Sequence, residues 1–224
     1  MRIGVIACDM MRSEIAALLA DDPDVVSVVY LDSALHVRPA EMRETVAEHV
    51  RTLSDEVDAI FLGYGRCRAL SGIEEISDVP VHLPQHDDCI SMLLSPERRA
   101  EEIEREAGTW FMSPGWARVS MEMIISEMRL DRANELGHDP TAMAKRLFTN
   151  YRRGLLFNTG LPEAEFALCR EQARAFCEDL DLALEETESP PKTGLLAEYE
   201  SFKRLMREVA DGRPVGSPVE GEEP

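Results

Sequence analysis

The sequence is short of basic residues. Its 24 lysines and arginines stand against 43 acids, for a formal net charge of −19. Nothing in that balance offsets repulsion from phosphates, which argues against nucleic acid and anionic membrane surfaces as partners. Long apolar runs are absent too, and no stretch approaches the about 18 consecutive apolar residues of a membrane span. The opening segment, Met1 to Cys8, carries one base and a short apolar run, without the longer apolar region and cleavage site of a secretory signal. A cytoplasmic location is therefore expected, with the five cysteines as reduced thiols or metal ligands; their odd number also fits a disulfide framework poorly. Glycine-rich nucleotide motifs are lacking. The first strand–helix turn, Ala7 to Met11, holds no glycine, and Gly63-Tyr64-Gly65 follows the third strand without a third glycine at the required offset. A dinucleotide fingerprint and a P-loop are thus unsupported, and no Gly-x-Ser-x-Gly elbow occurs.

What is present is an alternation of short apolar runs and amphipathic segments, the pattern of an α/β protein with a Rossmann-like parallel sheet flanked by helices. Strands are expected at 3–7, 25–31, 57–62, 79–83 and 109–112, with helices at 11–19, 39–53, around 73–76 and from Cys89 onward, interrupted at Pro96. Residues 116–151 change character and read as a helical insertion or linker. A second β-α-β run over 154–186, followed by a helix at 195–209, echoes the first and suggests two similar halves across a cleft. The expected organisation is an α/β domain at 1–115, the insertion, a second α/β half at 152–210 and a disordered tail at 211–224, poor in apolar residues.

Three cysteines fall at corresponding places. Cys8 follows the first strand, Cys67 follows the third through Gly63-Tyr64-Gly65-Arg66, and Cys89 follows the fourth through Pro84-Gln85-His86-Asp87-Asp88. All strands of a parallel sheet end on one edge, where ligands bind, and neighbouring strands lie about 4.8 Å apart. Three thiols remote in sequence can therefore converge. Gly63 and Gly65 allow close backbone approach. Cys89 near a helix start is placed to be a thiolate. His86 adds a ligand, Asp87 adds polar capacity and Trp116 is a candidate cover. The competing reading is that each cysteine is a small buried apolar side chain, which is also how Cys169 and Cys177, eight apart on one helix, are read. Three thiolates with an open fourth position suit zinc or an iron–sulfur cluster.

Ile6-Ala7-Cys8 with Glu14, Leu62-Gly63-Tyr64-Gly65-Arg66-Cys67, Pro84 to Ile90 around Cys89, and Ser113-Pro114-Gly115-Trp116 together resemble a bacterial and archaeal family of unknown function. Its members occur beside genes for corrinoid-dependent methyltransferases. The resemblance spans roughly residues 1–190. It departs at Asp87-Asp88, where the family carries His-Asp directly before the third cysteine, so that His86 is shifted by one, and at Asp9. It implies a metal- or cofactor-binding role in corrinoid- or folate-linked methyl transfer, with a corrinoid protein or methyltransferase as partner. Two alternatives stand beside it. One is a non-catalytic accessory or chaperone of such a system; the other is a metal-free thiol enzyme with Cys89 as nucleophile and His86 as base.

Overall fold

Short apolar runs form most of the strands, and the amphipathic segments between them form helices. A computed structural model describes residues 1–190 and 193–211, so nearly all of the expected tail lies outside the described residues. The chain runs β1 (Ile3–Cys8), α1 (Arg12–Leu19), β2 (Val25–Leu31), α2 (Pro39–Ser54), β3 (Ala59–Gly63), β4 (Val81–His82), α3 (Cys89–Leu94) and α4 (Pro96–Arg105). It continues through β5 (Thr109–Met112), α5 (Met121–Glu127), α6 (Pro140–Leu147), β6 (Arg153–Asn158), α7 (Glu163–Asp179), β7 (Ala183–Glu188) and α8 (Gly194–Ala210). Two parallel sheets result, one ordered β2-β1-β3-β4 and the other β5-β6-β7. The protein is α/β with parallel sheets flanked by helices. Among the described residues no helix is long and apolar enough to cross a membrane.

Several elements differ in extent from expectation for local reasons. β4 keeps only Val81 and His82, because Pro80 and Pro84 bracket it and offer no N–H to a ladder. Residues 73–76 form a 3-10 turn rather than an α-helix. The helix beginning at Cys89 breaks at Ser95, whose φ is 79°, and restarts at Pro96, since a residue preceding proline is disfavoured in the helical region. α7 runs on to Asp179, so β7 begins only at Ala183, after a turn in which Asp181 is left-handed.

Two corrections concern which sheet each segment joins. β5, expected within the first unit at 1–115, is an edge strand of the second sheet, with Thr109 to Met112 in register with Arg153 to Leu156. The Gly108 carbonyl accepts the Arg152 N–H at 2.7 Å at the start of that ladder. α8, expected with the second half at 152–210, packs instead on the first sheet. Its buried residues Leu195, Tyr199, Phe202 and Met206 join Ile3, Val5, Ala59 and Phe61 in one core. Polar ties hold it there: Tyr199 donates to Asp22 at 2.9 Å, Lys203 pairs with Asp22 at 2.8 Å, and the His82 ring bonds Glu198 at 2.8 Å. The chain thus passes to the second sheet at β5 and returns after β7, so the second unit is continuous in sequence and the first is split around it.

The first sheet is buried on both faces. α1, α3 and α8 cover one and α2 covers the other with Val46, Val50 and Leu53. A third core joins the second sheet to α7 and takes in Cys169 and Cys177, both buried as ordinary packing side chains. Met121 and Met123 pack against that core, whereas Met128 is exposed. Glu14 on α1 is buried and accepts the Thr159 hydroxyl at 2.8 Å, tying the first unit to the end of β6; burial pushes its carboxyl above the usual range.

The strongest buried polar link is Arg153 on β6. Its guanidinium and the Glu102 carboxylate on α4 are each 3% exposed and pair at 2.7 Å, with further bonds to Thr109 at 2.9 Å and Glu185 at 2.7 Å. Arg153→Met leaves Glu102 buried with only arginines of its own helix as partners, Arg98 at 2.7 Å and Arg105 at 3.7 Å. The expected loss is about 3 kcal/mol by chemical denaturation, with most of it recovered in the double variant Arg153→Met, Glu102→Leu. A single variant as stable as the parent would contradict this assignment.

Candidate functional site

The strand ends of the first sheet deliver the three cysteines to one place. Cys8 is the last residue of β1, followed by a 3-10 turn over Asp9–Met11. Cys67 lies after β3, where its sulfur accepts the Ala69 N–H at 3.3 Å and caps a 3-10 turn. Cys89 opens α3 directly after Asp88, whose carboxylate accepts the Ser91 N–H at 2.7 Å in a capping box. All three line a single narrow cavity of about 180 Å³, together with Gly63, Gly65, Asp87 and Trp116.

Two backbone contacts hold this arrangement. A Cβ on Gly65 would sit inside the Asp88–Cys89 backbone, so only glycine lets the β3 loop come this close. Next to it the Arg66 N–H donates to the His86 carbonyl at 2.6 Å, joining the loops that carry Cys67 and Cys89. From the other sheet, the Ser113-Pro114-Gly115 turn presses on the segment after Cys8, where a Cβ on Gly115 would overlap the Met10 carbonyl. That turn carries Trp116 into the cavity wall.

Burial controls the thiols. It pushes Cys8 up to about 11, with the carboxylates of Asp9, Asp32 and Glu127 adding to the rise and the Met10 N–H opposing it. It pushes Cys89 up to about 12, helped by Cys8 and Asp88 and opposed by the Trp116 indole. The helix start at Cys89 does not produce the thiolate expected there, because loss of solvent outweighs the field of a six-residue helix. In this state Cys8 and Cys89 are neutral thiols.

His86 is a further correction. Its ring turns away from the cavity, packs under Gly194 and lies 3.7 Å from Glu198, so it neither joins the cysteines nor stands as a base for Cys89. The neighbouring Asp87 takes the cavity side instead. The histidine that does line the cavity is His36, edge-on to Trp116 at 5.9 Å, with Asp32 and Ser33 beside it. These residues follow β2, whose C-terminal end lies on the same sheet edge, and that topology was the signal available for them. Among the described residues no three His, Cys, Asp or Glu side chains are grouped as a lone metal ion requires.

The family described as "Protein of unknown function (DUF1638)" matches residues 30–195. The chain belongs to this family. The match takes in Cys67, Cys89 and Trp116 of the DUF1638 chain, while Cys8 and Glu14 precede it. No curated protein matches it. Among solved structures it is similar to a crystal structure of N-acetyl-L-ornithine transcarbamylase, at 12% identity and a TM-score of 0.24. That alignment covers 84% of this chain and 60% of the transcarbamylase chain.

Raised thiols react slowly with alkylating agents at neutral pH, because the thiolate is the nucleophile. Alkylation of Cys8 and Cys89 is expected to accelerate about tenfold per pH unit from pH 7 to 9, read site by site by mass spectrometry. A rate that levels off near pH 7 would show low thiol pKa values and contradict the burial argument.

Proposed function

We propose that this chain is a metal- or cofactor-binding protein whose centre is held by Cys8, Cys67 and Cys89, with an iron–sulfur cluster as the preferred occupant. The observation that carries the reading is that thiols from three separate strand ends share one cavity of about 180 Å³. Soft thiolate donors select zinc or iron–sulfur groups over oxygen-seeking cations. Three cysteine ligands leave one open position on a four-iron cluster, which is the occupant proposed. When bound, such a group supplies positive charge and an open coordination position that acts as a Lewis acid.

The chain's own residues supply the rest. Cys8 and Cys89 sit half-buried in the cavity wall, Gly65 keeps the two loops in contact, and Trp116 forms a wall against the second sheet. Asp87 offers a carboxylate at the cavity edge for orienting a bound molecule. The resemblance to proteins found beside corrinoid-dependent methyltransferases supports a role in corrinoid- or folate-linked methyl transfer, in the reducing cytoplasm. The cavity is below the ~300–1,000 Å³ of sites for drug-sized ligands. A corrinoid therefore enters this proposal on a partner protein, not inside the cavity. An accessory protein would use the same centre without turning over a methyl donor.

Cys67→Ser is the cleanest variant, because a serine oxygen can still accept the Ala69 N–H that Cys67 now accepts. After anaerobic reconstitution with iron and sulfide, the parent is expected to bind both and absorb in the visible. Cys67→Ser should lose most of the metal at unchanged thermal stability of the metal-free protein, and Cys177→Ser should keep it. Full metal retention in Cys67→Ser would overturn the shared centre.

A further inference from the structure

Next to the cysteine cavity lies a wider cleft of about 600 Å³, bounded by Cys89, Asp88, His36 and Trp116 on the side they share. Its other walls come from α4, β5 and the segment after α6, so it runs between the two sheets. This volume falls within the ~300–1,000 Å³ of small-molecule sites. Its walls are aromatic: Trp110 stands edge-on to Trp116 at 6.0 Å and to Tyr151 at 5.5 Å. Arg99 and Asp88 both line the cleft and pair at 2.8 Å. That carboxylate is also engaged by the Ser91 N–H, so Asp88 aims the guanidinium beside Cys89.

Acceptors on the wall include Asp88 and Asn150. The Arg99 Nε and the Trp110 indole nitrogen are buried with no hydrogen-bond partner among the described residues, while the Trp116 indole acts on the Cys89 thiol. Both unpartnered groups are donors, and buried donors without acceptors are costly. The Thr109 hydroxyl is already engaged with Glu106 and Arg153. Aromatic walls select a flat ring, and surplus donors around an oriented guanidinium select a carboxylate.

We propose that this cleft binds a small planar aromatic or heteroaromatic carboxylate, seated against the wall that Trp110 and Trp116 form, with its carboxylate on Arg99, beside Cys89. The site needs no metal for binding, so it stands or falls separately from the cysteine centre.

The chain has two tryptophans and both line the cleft, so their fluorescence reports its occupancy directly. In metal-free protein, benzoate is expected to change that fluorescence saturably, whereas benzyl alcohol and acetate, lacking charge or ring, bind at least about tenfold more weakly. Arg99→Gln should weaken benzoate by a similar factor. Ala107→Phe, at an exposed position on the cleft wall, should block it without touching the core. Equal binding of benzoate and benzyl alcohol, unchanged benzoate affinity in both variants, or the absence of any saturable change would overturn the proposal.

Discussion

The contact of the Gly65 backbone with Asp88 and Cys89 is the constraint on which the site depends. A side chain at position 65 would occupy the space of the Asp88–Cys89 backbone and drive the β3 loop from α3, taking Cys67 away from Cys89. The Arg66 N–H bond to the His86 carbonyl seals the same junction. Gly115 plays the matching part between the sheets, where its lack of a side chain lets the turn carrying Trp116 settle on Met10. With both contacts made, three strand ends and one turn close around a single cavity, and the larger cleft opens on its flank.

That closure has an electrostatic consequence. The chain is strongly acidic, and Asp9, Asp32 and Glu127 all act on Cys8, so a thiolate in the cavity meets both desolvation and like charge. Cys8 and Cys89 therefore rest as neutral thiols and favour anionic sulfur only when a cation enters with it. Arg99 lies outside this pocket, in the neighbouring cleft, where Asp88 holds it. The two cavities thus differ in kind: one offers soft donors to a metal group, the other offers N–H donors and aromatic walls to an organic anion.

Much of this was legible in the sequence. Apolar runs located the strands, and the strand order followed from ordinary parallel-sheet topology, which placed Cys8, Cys67 and Cys89 on one edge. Three things were not legible. Spacing does not say which way a loop side chain turns, so His86 was assigned to the cavity although it faces Glu198, and His36 was passed over. Sequence order does not say which sheet a strand joins, so β5 was placed with its predecessors although its ladder partner, β6, comes some forty residues later. The periodic apolar face of α8 revealed a helix that packs, but its destination rests on partners far upstream, Asp22 and His82, that only the folded chain brings near.

The central claim is that Cys8, Cys67 and Cys89 act as one binding unit. Differential alkylation with and without iron and sulfide tests it most directly, with Cys169 and Cys177 as internal references. Loading is expected to protect Cys8, Cys67 and Cys89 together, in proportion to bound iron, and to leave the two references unchanged. Protection of a single cysteine, or of none while iron is bound, would contradict it.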